Sequence, residues 1–98
     1  MRASSEYRPL LLESLKNPKE AEAYLCAALE QGDRKMFLIA LRNVAEARGG
    51  IGKLAAKSRL NRESLYRMLG SRGNPSLQSL TVLLKSLGFR LSIARDAA

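Results

Sequence analysis

The sequence predicts an all-α chain of five to six helices, closed by one short C-terminal β-strand. Three observations predict it. Apolar residues recur at helical spacing through most of the chain. The periodic stretches are separated by glycines, Asn-Pro pairs and other capping residues. Residues 89–94, "FRLSIA", instead alternate, with Phe89, Leu91 and Ile93 on one face and Arg90 and Ser92 on the other.

Each element follows in order. Residues 9–15, "PLLLESL", predict a first short helix with Pro9 in its opening turn. Asn17, Pro18 and Glu20 form a start signal, with Asn17 as N-cap and Glu20 reaching back to it. Ala21, Tyr24, Leu25, Ala28 and Leu29 then recur at helical spacing, and Gly32 closes that helix. Asp33 caps the next. Along residues 34–48, Phe37, Ala40, Leu41, Val44 and Ala45 share one face, widened by Met36, Leu38 and Ile39. A stripe that wide belongs to a central helix contacted from several sides. Gly49-Gly50 stops it. Short helices are expected at about 51–58 and 62–70, then a turn, "GSRGNP", at 70–75. Asn74-Pro75 repeats the earlier start signal. Leu77, Leu80, Leu83, Leu84 and Leu87 make a last helical stripe, closed by Gly88. The strand has no partner of its own, so it must pair with a second copy or another protein, or lie loose.

Charge is divided unequally. The 98 residues carry 17 Lys and Arg against 9 Asp and Glu, a net charge of +8. Residues 51–98 hold almost all of the excess, because Glu63 and Asp96 are their only acids. A half that basic implies either a polyanionic partner, nucleic acid before an anionic membrane, or a surface whose charge only solubilises. No apolar run is long enough for a membrane span, and residues 1–30 lack the pattern of a secretory signal.

Several chemistries are excluded. There is no histidine and one cysteine, which rules out a Cys/His zinc cluster and removes the commonest general base. Neither a catalytic constellation nor a cofactor is expected. Cys26, among Tyr24, Leu25, Ala27 and Ala28, reads as a small buried hydrophobe. A lone cysteine makes no internal disulfide and suits a reducing cytoplasm. The window "ARGGIGKL" superficially suggests a phosphate-binding Walker loop. It has Ala47 where the first glycine belongs and Leu54 where the magnesium-binding hydroxyl belongs, and a helix precedes it.

Residues 51–70, "IGKLAAKSRLNRESLYRMLG", fit a helix-turn-helix. Leu54, Leu60, Leu65, Met68 and Leu69 are the inward positions, and Ala55 is the small residue where two helices cross closely. The turn falls at Arg59, Leu60 plugs the space beneath it, and Asn61 caps the second helix or meets a phosphate. Arg62, Glu63, Ser64, Tyr66 and Arg67 are left on the outer side. This pattern resembles the Cro/repressor-type family of phage and bacterial regulators, with its lambda-repressor-like fold. That family usually has Gly at the turn, near the left-handed region, where this chain has Arg59. The departure costs roughly 1 kcal/mol.

Over about residues 20–94 the chain resembles a narrower group, the addiction-module antidotes of HigA type. The stretches "AYLCAALEQGD", "FLIALRNVAEARGGIGKLA", "NRESLYRML" and "GNPSLQSLTVLLKSLGFRLSI", in that order, carry the resemblance. It implies a cytoplasmic bacterial antitoxin that neutralises a RelE-like ribonuclease and represses its own operon. Three parts are expected: residues 1–48 as core and possible toxin contact, 49–94 as the DNA-binding unit, and 95–98 as a tail.

Within this frame Arg62 and Arg67 are the base-reading candidates, because Arg pairs bidentately with guanine. Glu63 either accepts from cytosine N4 or simply occupies a favourable first-turn position. Ser64 contacts a base or a phosphate, or serves as a cap. Lys53, Lys57, Arg59, Asn61, Tyr66, Arg72 and Asn74 are the phosphate candidates. Tyr66 alternatively packs against the neighbouring helix. Leu77, Leu80, Leu84, Leu87, Phe89, Leu91 and Ile93 are expected to serve both the core and a homodimer face, since two half-sites need two copies. Two other functions fit the residues: a Cro/repressor-like regulator with no toxin partner, and a module whose basic half binds an acidic protein.

Overall fold

A computed structural model describes residues 2–97 as six helices: α1 (Arg2–Ser14), α2 (Pro18–Glu30), α3 (Arg34–Ala47), α4 (Gly50–Ser58), α5 (Arg62–Met68) and α6 (Leu77–Ser86). α3 is central. It packs against α1, α2 and α4, and α4 in turn packs against α5 and α6. The wide apolar stripe explains this, because Phe37, Leu38, Ala40, Leu41, Val44 and Ala45 are all buried on it. The stripe is narrower than the sequence suggests: Met36 and Ile39 remain exposed.

One core runs through the whole chain. Leu15, Ala21 and Leu25 come from its first part, and Leu54, Leu65, Leu69, Leu83 and Leu84 from its second. The radius of gyration, 13.6 Å, agrees with about 13 Å for a single folded body of this length. A buried polar tie fastens the first three helices. Asn43 Oδ1 accepts from Arg8 at 2.8 Å, and Asn43 Nδ2 donates to the Tyr24 hydroxyl at 2.9 Å. Arg8 also pairs with Glu46 at 2.7 Å. Asn43 thus has partners on both sides, which is what a buried amide requires.

The helix starts show which local signals decide. Asn17 accepts from Lys19 N at 2.9 Å and Glu20 N at 3.3 Å, and Asp33 accepts from Lys35 N at 2.9 Å. The Asn17 N–H, however, goes to the Ser14 carbonyl at 3.1 Å, not to Glu20. α6 starts differently from expectation: Ser76 is its cap, accepting from Ser79 N at 3.1 Å, and Asn74-Pro75 lies ahead of the helix. Gly73 causes the offset. It is pressed onto the end of α5, where a side chain would overlap the Met68 carbonyl, and its N–H bonds Gly70 O at 2.9 Å. The chain needs residues 74–76 to leave that contact before it can coil.

Other expectations also need correction. α1 begins at Arg2 and runs through Pro9, which sits inside it and not in its opening turn. Leu29 is 51% exposed, off the buried side of α2. Cys26 is exposed, not buried, because the inward positions of α2 are Ala21 and Leu25. No strand occurs among the described residues, so the C-terminal strand expected at 89–94 is absent. A ladder needs a second strand, and this stretch has none beside it. The segment after Gly88 is irregular: Phe89 packs on the core, while Ile93 is 100% exposed. The tail expected at 95–98 ends on Ala98, outside the described residues.

Candidate nucleic-acid interface

α4 and α5 are joined by Arg59, Leu60 and Asn61. Ala55, on α4, is buried, so its small side chain lets α5 come close. Arg59 adopts φ 63° and ψ 22°, a left-handed conformation. It is the one non-glycine residue with positive φ among the described residues. The turn is fastened by the buried Ser58, whose hydroxyl donates to Ala55 O at 3.4 Å and accepts from Leu60 N at 3.3 Å. Leu60 packs against the core, and Asn61 caps α5 by accepting from Ser64 N at 2.7 Å. The cap reading of Asn61 therefore has a bond behind it.

α5 has two faces. Leu65 is fully buried, Leu69 just beyond the helix is 2% exposed, and Met68 packs against the core. Arg62, Glu63, Tyr66 and Arg67 are exposed, and Ser64 is half-buried. At about 100° per residue these four exposed side chains fall within an arc of about 140°. They form one outward ridge carrying two guanidinium groups, a carboxylate and a phenol. Arg67 Nη2 lies 3.5 Å from Ser64 Oγ, at the outer limit of a hydrogen bond. Tyr66, 53% exposed, presents its ring outward.

The remaining phosphate candidates lie outside this ridge, some of them on α4 and some after α5. Lys53, Lys57, Arg59, Arg72 and Asn74 are all exposed. Sequence reasoning missed two contacts. Gly52, on α4, lies beside Arg62: a side chain there would stand 3.8 Å from the guanidinium carbon, in ordinary contact. Arg42 Nη1, from α3, donates to the Leu69 carbonyl at 3.4 Å and ties down the end of α5. Helical spacing alone reveals neither, because both contacts join separate elements.

The apolar residues expected at a dimer face divide into two sets. Leu84 and Leu87 are buried in the chain's own core. Leu80 and Phe89 are half-buried and packed against it. Leu77, Leu91 and Ile93 are exposed, at 71%, 37% and 100%. Among the described residues no group of three His, Cys, Asp or Glu is placed to hold a metal ion, and no helix is long and apolar enough to cross a membrane.

Comparison with known proteins identifies the group. Residues 10–95 match the model of a family described as "probable addiction module antidote protein". The chain belongs to that family of addiction-module antidotes. An addiction-module antidote is an antitoxin, so a toxin partner goes with this membership. The chain is also 28% identical over 84 residues to an uncharacterized protein of Haemophilus influenzae, covering 86% of each chain. No solved structure matches.

Proposed function

We propose that this antidote is a sequence-specific DNA-binding repressor built on a helix-turn-helix of the Cro/repressor type. In this reading α4 and α5 are the helix pair, and α5 enters the major groove. The observation that carries the reading is the outward ridge of α5, set beyond a left-handed turn and backed by buried Leu65 and Leu69. Arg62 and Arg67 read guanines, Glu63 and Ser64 contribute neighbouring base contacts, and Lys53, Lys57, Arg59, Tyr66, Arg72 and Asn74 meet phosphates. Leu77, Leu91 and Ile93 supply the apolar surface that brings two copies together, as two half-sites require.

The antidote also neutralises a RelE-like ribonuclease toxin, as the HigA-type resemblance implies, and represses its own operon in the bacterial cytoplasm. Family membership supports the antitoxin part over a regulator without a toxin. The two parts separate experimentally. For DNA, fluorescence anisotropy on the chain's own promoter should show Arg62→Ala and Arg67→Ala each losing about 1–3 kcal/mol with relaxed sequence preference. Arg72→Ala should weaken all sequences alike. Two arginine variants that bind like wild type would sink the α5 assignment. For the toxin, co-expression with the adjacent small open reading frame should restore growth. Failure to rescue, with promoter binding intact, would leave a regulator alone.

A further inference from the structure

On another side of α4 lies a cleft of about 530 Å³ lined by Lys16, Arg48, Lys53, Lys57 and Lys85. The five cations come from the α1–α2 turn, the end of α3, α4 and the last turn of α6. Among the described residues, no carboxylate and no aromatic ring lines the cleft. That is unusual, because surface charges of opposite sign are normally interspersed. Glu46 is engaged elsewhere, with Arg8, while Glu13, itself outside the cleft lining, pairs with Lys16 at 3.1 Å and leaves the other four cations to the lining. Converging like charges repel one another, and an anion seated among them relieves that repulsion.

The cleft is also partly rigid. Arg48 donates to the Lys16 carbonyl at 3.2 Å and lies over the Phe89 ring, 5.5 Å from its centroid. Gly49, at φ 119°, allows Lys53 to fold against the turn, since a side chain at Gly49 would strike it. With no ring to stack a base and no acid to bind a sugar hydroxyl, the lining recognises phosphate and little else.

We infer that this cleft binds phosphate groups in series. It is not a Walker loop, and it does not depend on base reading by α5. Its ligand is either the DNA backbone beside the ridge or a free polyphosphate. Backbone contact is geometrically open, because Lys53 follows Gly52, which lies beside Arg62.

The test uses the full ¹⁵N-labelled chain and tripolyphosphate at fixed ionic strength, with sulfate as control. Saturable shifts at the Gly49–Lys53 amides are expected. The double variant Lys16→Ala/Lys85→Ala, and separately Lys57→Ala, should weaken binding, the double variant at least tenfold, while Arg62→Ala leaves it unchanged. Shifts that match sulfate, or that ignore all three lysines, overturn the site. Duplex DNA is then added to the tripolyphosphate complex. Displacement, with a salt slope about 2 lower in the double variant, assigns the DNA backbone as source. Simultaneous binding of both assigns a free polyphosphate. A chain that binds tripolyphosphate but no duplex would refute the DNA-binding proposal and leave this site standing.

Discussion

Replacing Arg59 by glycine should stabilise the fold and weaken its hold on DNA. Arg59 occupies φ 63°, where a residue with a side chain pays about 1–2 kcal/mol. Glycine removes that strain but loses more freedom on folding, which returns roughly 0.5–1 kcal/mol. The net gain is about 0–1.5 kcal/mol. A chain of 98 residues has an unfolding entropy near 0.2 kcal/mol/K, so the melting temperature should rise by up to about 7 °C. The exposed guanidinium goes at the same time, and with it the phosphate contact proposed for Arg59. The salt slope of promoter binding should fall by about 1. Arg59→Ala separates the effects, since it keeps the strain and loses the charge: its melting temperature should stay near wild type while its slope falls equally. Calorimetry and anisotropy at four salt concentrations measure both. A glycine variant that melts clearly below wild type would refute the strain argument. An unchanged slope in both variants would remove Arg59 from the phosphate set.

Three further outcomes test the framework. Gly73→Ala should destabilise the fold by about 1–3 kcal/mol in urea unfolding, because the added methyl overlaps the Met68 carbonyl, which is backbone and cannot swing aside. Asn43→Ala should cost about 1–3 kcal/mol, since it removes the bonds that Arg8 and Tyr24 make to the Asn43 amide. Cys26, exposed on α2, should react with a thiol reagent in the native chain at nearly the rate seen in urea. Strong native protection would show that another surface covers that face of α2.

What could be read from the sequence depended on the range of the interaction that decides each feature. The two faces of α5 were legible because Leu65, Leu69 and the four exposed residues follow from helical angle alone. Asn17 was legible because its acceptor bonds close within three residues. The same Asn-Pro doublet at residue 74 misled, because Gly73 is held by Met68 and Gly70 across the end of the preceding helix. Cys26 misled differently: its sequence neighbours are apolar, but it lies about 100° around the helix from Leu25. Alternation at 89–94 failed for a third reason. It describes which side chains could share a face, whereas a strand exists only when its backbone finds another to pair with. Here Phe89 turns inward against the core and under Arg48, which anchors the start of the segment without offering it a ladder. The basic cleft lies furthest from local reading, because residues 16, 48, 53, 57 and 85 meet only after α3 has set the other helices around it. Charge counts located the excess in the second half, yet two of the five cations that converge come from the first. A surface assembled that way is a property of the packing, and only variants that join distant positions, such as Lys16→Ala with Lys85→Ala, can test it.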